Sequence, residues 1–358
     1  MWLFIGFTQL LCLMTFFLVW WFIKPKRHLS RVLLITSIFV INNGFLIYGL
    51  SDFWGERFSV YLVASILQGF MFYAAVITTV LALFLNKILK WRPRPKLIRV
   101  FALMTYIAII SLAVFNAYSP VVKRLTVTTT KPLDKPMTIA LVSDTHWSRW
   151  FGNRQIDKLV DLVDTQHPDV VVIAGDIMHD TTTAYDETHM HERLSNLTAP
   201  LGVYATLGNH DYRGYDKAIA RAIEEAGIKA LDSESVLLDD SVWLIGRSDD
   251  VDRTRLSAQE LLASVDTNKP VVFLEHRPTA FEEIRGLPVD LHLSGHTHGG
   301  QIFPLTTLLN WFTPLNYGTK QVEGTQFLVT SGYGIGAVPF RLGTRSEIWM
   351  ITLQSATS

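Results

Sequence analysis

Four long apolar stretches fill the first third of the chain: Trp2 to Ile23, Val32 to Leu50, Val60 to Leu85 and Leu97 to Tyr118. Each reaches or approaches the roughly 20 residues a helix needs to cross a bilayer. They predict a four-helix transmembrane region within residues 1–120. The first stretch lacks the basic start of a signal peptide, and three further spans follow it. Past Ser119 the pattern changes. Short β-forming runs appear at Thr138 to Val142, Val170 to Ala174, Val203 to Leu207, Val271 to Leu274 and Leu291 to Leu293, with late runs at Gln326 to Thr330 and Glu347 to Leu353. Between them, Gln155 to Thr165 and Lys217 to Ala226 carry apolar residues at helical spacing, and Val236 to Ile245 reads as a hairpin turning at Asp239-Asp240. Val122 to Thr129 is expected as a first edge strand. Residues 121–358 therefore read as one α/β domain, joined to the helices through Ser119 to Pro136.

Charge sharpens the division. The chain is formally neutral, but eleven Lys/Arg against two Asp/Glu precede Val121, and the balance after it is acidic by nine. Lys24, Lys26, Arg27 and Arg31 crowd the first connection between spans; Lys87, Lys90, Arg92, Arg94, Lys96 and Arg99 crowd the third. Basic connections stay cytoplasmic, which sets the N-terminus and the α/β domain outside; Lys123 and Arg124 oppose this weakly. For a Gram-negative host the domain is then periplasmic and the helices lie in the inner membrane. An acidic domain with no basic stripe disfavours nucleic acid as a partner. The spans hold the uncharged polar residues Gln9, Asn42, Asn43 and Gln68, read as interhelical hydrogen bonding rather than a conduction path. The single cysteine, Cys12, excludes disulfides and thiolate metal sites.

The informative chemistry stands where the β-forming runs end: Ser143-Asp144-Thr145-His146, Gly175-Asp176, Gly208-Asn209-His210-Asp211, Glu275-His276 and Gly295-His296-Thr297-His298. Ligands at the C-terminal ends of successive strands converge on one crevice of an α/β sheet. Asp144, His146, Asp176, Asn209, His276, His296 and His298 offer more donors than one metal takes. Seven mixed nitrogen and oxygen ligands suit two divalent ions (Mn, Fe, Zn or similar) about 3.5–4 Å apart. Asp176 is the expected bridge, one carboxylate oxygen facing each ion.

The order Asp-x-His, Gly-Asp, Gly-Asn-His-Asp, His, Gly-His-x-His resembles the calcineurin-like metallophosphoesterase superfamily. The closing Gly295-His296-Thr297-His298-Gly299-Gly300-Gln301 is similar to its bacterial membrane-associated or exported branch. The resemblance runs from about Leu125 onward. It implies a four-layer sandwich of two mixed β-sheets flanked by helices. It also implies hydrolysis of phosphodiester, pyrophosphate or phosphomonoester bonds by metal-activated hydroxide, with diesters favoured. One ion would take Asp144, His146, Asp176 and His298, the other Asp176, Asn209, His276 and His296. His210, next to a ligand, is expected to face the substrate and protonate the leaving group; Asp211 is expected to orient backbone or His210. Many relatives carry an acid three positions after the bridging aspartate, and protein phosphatases add an arginine. Here His179, Asp180 and Thr181 follow, with Asp180 a candidate partner of His210.

Other residues read as bystanders or substrate contacts. His179, His189 and His191 are expected on an exposed segment, and Glu275 and Asp250 at the surface or behind the ligands. Arg341 could touch a phosphate or make a structural ion pair. Trp147, Trp150 and Phe151, with Phe303, Trp311 and Phe312, could form an apolar lip for a lipid-linked phosphate or pack internally. Two rivals to a membrane-anchored enzyme stand: a non-catalytic metal-binding sensor or scaffold, and a transporter with an accessory domain.

Overall fold

A computed structural model describes residues 2–53, 56–91 and 93–356; Arg92, one of the basic residues of the third connection, lies outside them. The chain divides into two compact units: Met1–Phe115 with Ala337–Phe340, and Asn116–Gly336 with Arg341–Ser358.

The first unit contains four helices long and apolar enough to cross a membrane: α1 (Trp2–Ile23), α2 (His28–Leu50), α3 (Glu56–Lys87) and α4 (Pro95–Tyr118). Several of its polar side chains find partners within the helices. Gln9 donates to Asn43 (2.9 Å), Thr15 to Gln68 (3.2 Å), and Asn42 to the Ile38 carbonyl one turn back (2.9 Å). In an apolar solvent an unpaired amide is costly, and such bonds fix how helices meet.

The second unit is built on twelve strands: β1 (Val121–Thr129), β2 (Met137–Val142), β3 (Val170–Ala174), β4 (Val203–Thr206), β5 (Ile228–Ala230), β6 (Glu234–Leu238), β7 (Val242–Gly246), β8 (Val271–Leu274), β9 (Leu291–Ser294), β10 (Gly318–Val322), β11 (Thr325–Val329) and β12 (Glu347–Ser355). They form two mixed six-stranded sheets, ordered β1-β12-β2-β3-β4-β5 and β10-β11-β9-β8-β7-β6. In the first, only the β12–β2 pair is antiparallel. In the second, β9, β8 and β7 run parallel between antiparallel outer pairs.

Strand alternation assigns side chains to layers. Ile139, Leu141, Val172 and Ala174 meet Leu244, Val272, Leu274, Leu291 and Leu293 between the sheets. Ala140, Val142, Val171 and Ile173 face the other way, onto α5 (Asn153–Asp164) through Ile156, Leu159, Val160 and Val163. The second sheet is covered outside by Ala258, Leu261, Leu262, Phe281 and Ile284. The helix–sheet–sheet–helix sandwich is thus present. Both parallel strand sets carry their C-terminal ends to one edge, where the polar loops begin.

The sequence reading omitted β5 and β10. β5 is three residues long, and β10 reads Gly-Thr-Lys-Gln-Val, mostly solvent-exposed at a sheet edge. Neither presents the apolar run that betrays a buried strand.

Candidate metal centre

Each loop leaving a parallel strand turns sharply and points a side chain back over the sheet edge. Asp144, His146, Asp176, His296 and His298 all adopt left-handed backbone, with φ between 44° and 69°. Non-glycine residues rarely adopt this conformation, and it persists only where surrounding structure imposes it. The imposition is visible as backbone cross-links: Asp144 N–H donates to Gly175 O (3.0 Å), His146 N–H to Asp176 O (3.0 Å) and Gly295 N–H to His276 O (2.9 Å). Gly208 and Gly295 precede ligands for a steric reason. A Cβ at Gly208 would run into the Asp176 carboxylate, and one at Gly295 into Ser143 and Asp144.

The side chains gather into neighbouring clusters, one of Asp144, His146 and His298 and one of Asp176, His276 and His296. Asp176 joins them. Its Oδ1 accepts the His210 N–H (2.9 Å), while Oδ2 lies 3.2 Å from His276 Nε2 and 3.5 Å from His146 Nε2. A single oxygen therefore faces both groups, rather than one oxygen each. His146 and His298 bring their Nε2 atoms to 3.2 Å, and His296 Nδ1 comes within 3.2 Å of His276 Nε2. Asn209 Oδ1 and His146 Nδ1 are buried without a hydrogen-bond partner among the described residues. Converging lone pairs, an orphaned amide oxygen and no thiol fit divalent ions of the borderline to hard kind. Outer contacts orient the donors. His276 Nδ1 donates to Ala174 O (2.8 Å), which turns Nε2 inward, and the His296 N–H donates to Asp144.

Burial and crowding displace the acidities. Burial, with Asp176 nearby, pushes the Asp144 carboxyl up to about 6. Burial lowers His146 and His298 well below the usual range and His296 to about 3. Burial also opposes a charge on His276, but the Asp176 and Asp144 carboxylates outweigh it and raise the imidazole to about 10. The same pairing holds Asp176 low against its own burial. Metal-free protein near neutral pH thus carries a proton on His276 that a cation must displace. Metal loading is expected to release on the order of one proton per chain at pH 7.5, and more below pH 6 as Asp144 joins. Calorimetric titration in buffers of different ionisation heats reads this number directly; proton-neutral loading would contradict it.

His210 stands beside these clusters. Its Nδ1 lies 2.5 Å from Asp180 Oδ1, whose other oxygen accepts from Arg213 (2.8 Å). Burial works against the Asp180 carboxylate, yet His210, His179 and Arg213 together hold its pKa below the usual range. Asp180 is thus where a partner of His210 was sought. Asp211 is fully buried and accepts from the N–H groups of Ile177, Met178 and Gly208, which fixes the Asp176 loop to the Asn209 loop. Arg213, which the sequence reading overlooked, has a detectable signal: it sits three residues after His210, one short turn away.

Several expectations are corrected. His189 and His191 are exposed, but His179 is not on an exposed segment; its ring stacks on His210 at 5.9 Å and lies 5.8 Å from His146. Of the two places expected for Glu275, it takes the one behind the ligands: it is buried, bonded to His292 (2.9 Å) and 3.5 Å from Arg247. Asp250, half-exposed, pairs with Arg277 (2.8 Å). Arg341 is fully buried and donates to the Gly334 and Gly332 carbonyls (2.7 and 3.2 Å), with His298 Nδ1 at 3.3 Å; among the described residues it makes no ion pair. Trp147 and Phe151 are core residues, stacked on each other and meeting Tyr333 edge to face, so they form no lip. Trp150, Phe303, Trp311 and Phe312 are exposed. Trp147→Ala should therefore destabilise the domain by about 3–5 kcal/mol, and Trp150→Ala by less than about 0.5 kcal/mol. Chemical denaturation separates the two.

Residues 137–300 match the family model of the calcineurin-like phosphoesterases, a span containing all seven candidate ligands and His210. The chain is 30% identical over 243 residues to an uncharacterized metallophosphoesterase of Aquifex aeolicus strain VF5, covering 65% of this chain and 91% of that protein. It is 30% identical over 230 residues to the uncharacterized metallophosphoesterase YkuE of Bacillus subtilis strain 168, covering 61% and 79%. To the "Transmembrane protein with metallophosphoesterase domain" of Danio rerio it is 32% identical over 237 residues, covering 62% and 54%. The chain thus spans about half the length of that protein and of its Bos taurus counterpart. The chain belongs to the calcineurin-like phosphoesterase family.

Proposed function

We propose that this chain is a membrane-anchored phosphoesterase that uses two divalent metal ions to hydrolyse phosphodiester or pyrophosphate bonds. One observation carries the reading: Asp176 Oδ2 lies between His276 Nε2 and His146 Nε2, at 3.2 and 3.5 Å, with a further carboxylate and imidazoles grouped on either side. Asp144, His146, Asp176 and His298 would hold one ion, and Asp176, Asn209, His276 and His296 the other. Ions held there supply Lewis acidity, which acidifies water and neutralises phosphate oxygens.

The chain's own groups do the rest. With Nδ1 engaged by Asp180, His210 presents Nε2 as the atom that gives a proton to the leaving oxygen. Arg213 on the far carboxylate oxygen fixes the Asp180 rotamer, and Asp211 fixes the two loops that carry Asp176 and Asn209. The four apolar helices, and the likeness to a transmembrane protein of Danio rerio, support anchoring in a membrane. The basic first and third connections support an extracytoplasmic domain, periplasmic in the inner membrane of a Gram-negative host. A lipid-linked phosphate is the substrate such a placement favours.

The test is metal analysis of the purified full chain together with turnover of bis(p-nitrophenyl) phosphate, p-nitrophenyl phosphate, pyrophosphate and a polyprenyl or phospholipid phosphate in Mn²⁺. Two ions per chain and faster diester or pyrophosphate than monoester cleavage are expected. One ion, or no turnover of any ester, would remove the proposal. Reporter activity showing a cytoplasmic C-terminus would overturn the orientation alone.

A further inference from the structure

Between Leu291 and Thr319 the chain carries no Asp, Glu, Lys or Arg. Within that tract the sequence Phe303-Pro304-Leu305-Thr306-Thr307-Leu308-Leu309-Asn310-Trp311-Phe312 folds as a short helical turn that leaves its large side chains outside the core. Trp311 is 74% and Phe312 79% exposed, with Phe303 and Leu305 about half exposed. Soluble domains seldom display so contiguous an apolar surface without a partner.

The roots of this segment identify the partner. Phe303 N–H donates to Leu342 O (2.7 Å) and Leu342 N–H to Gln301 O (2.9 Å). At the other end Tyr317 donates to Glu347 (2.9 Å) and meets Lys123 of β1. The same loop holds the last turn of α4 within the second unit. Asn116 donates to Arg341 O (3.2 Å), Ser346 N–H to Asn116 O (2.9 Å), and Arg345 to Ser119 O (2.7 Å). Residues 341–346 therefore tie together the exposed segment and the end of an apolar helix of 24 residues. At about 3.3–3.6 Å per residue, six residues keep Phe303, the root of that segment, within about 20 Å of Asn116 even if fully extended.

We propose that Phe303–Phe312 seats in the headgroup–acyl boundary of the bilayer that the chain's own helices occupy, with Trp311 and Phe312 as the inserted side chains. Trp belongs at such a boundary because its ring is apolar and its N–H polar. A charge-free amphipathic turn enters it by about 5–10 Å. The inference rests on the membrane-anchored part of the function proposed above and on none of its catalysis.

Spin labels test it. In a Cys12→Ser background the full chain is labelled singly at Trp311→Cys, Phe312→Cys, Lys229→Cys on the far edge strand β5, and Phe39→Cys on the exposed face of α2. Each is reconstituted in phosphatidylethanolamine–phosphatidylglycerol vesicles, and collision with oxygen and with a water-soluble nickel chelate is compared. Oxygen should dominate at 311, 312 and 39, and nickel at 229. Nickel access at 311 and 312 equal to that at 229, with 39 protected, overturns the inference. Low collision with both reagents at 311 and 312 also overturns it, by showing a protein cover. Nickel access at 39 would instead show that the helices do not span, the failure of the membrane reading itself.

Discussion

Asp176→Asn is expected to lower kcat by at least about 10³-fold, some 4 kcal/mol of barrier, and to strip the purified protein of metal. The reason is the position of one oxygen. Among the described residues, Asp176 Oδ2 is the carboxylate atom that lies within 3.5 Å of imidazole nitrogens from both clusters, and an amide would offer there a neutral oxygen or a donor facing lone pairs. Its other oxygen accepts the His210 N–H, so the change also loosens the loop carrying Asn209. A second consequence concerns the metal-free fold. His276 is raised to about 10 by Asp176 and Asp144. Its pairing therefore stabilises the fold fully below the unfolded value of about 6.5 and is lost as pH rises through 10. Removing the carboxylate should flatten that decline in metal-free thermal melts. A variant holding two ions, with kcat within tenfold of the parent, would sink both the bridge and the assignment of ligands around it.

His210→Ala should lower kcat by about 10²–10⁴-fold, the range for loss of a positioned proton donor, with metal content unchanged. Asp180→Asn should lower it by a smaller factor, about 10–100-fold, because the imidazole remains but loses the carboxylate that orients Nδ1. The split matters. Equal metal content with unequal turnover identifies His210 as the group that touches substrate and Asp180 as the one that aims it. Esters with better leaving groups need less protonation, so p-nitrophenyl esters should suffer less than alkyl esters in His210→Ala. Full turnover of an alkyl ester by that variant would reject the role.

Much of this centre was readable because its residues occupy repeated contexts. Asp144 and Asp176 follow apolar β-runs of the first sheet and His276 and His296 those of the second, each by one to three positions, and the parallel strands of each sheet deliver such positions to one edge. The spans of α1 to α4 were readable for a similar reason, since bilayer thickness fixes their length. What escaped depends on rotation about single residues. Trp147 and Trp150 are three apart, yet one is core and the other three-quarters exposed, because Trp147 N–H continues the ladder to Ile177 O. No composition signal carries that. His179 looked like a loop residue because the residues after it, Asp180 to Thr183, are polar; its ring nonetheless packs on His210 and His146, with Asp180 beside it in left-handed backbone at φ of 67°. Arg341 is an arginine whose burial no local pattern foretells. Its carbonyl partners Gly332 and Gly334 are close in sequence but are brought round by a loop.

The placement of β12 bears on how the protein matures. That strand, translated after all the others, inserts between β1 and β2, pairing with nine residues of the first and five of the second. Without it, β1 has no neighbour in the sheet and the first sheet is split. Closure of such long-range pairings is slow. Truncation before Glu347 would consequently remove the strand that joins β1 to β2, a loss of the sheet's continuity rather than of its edge.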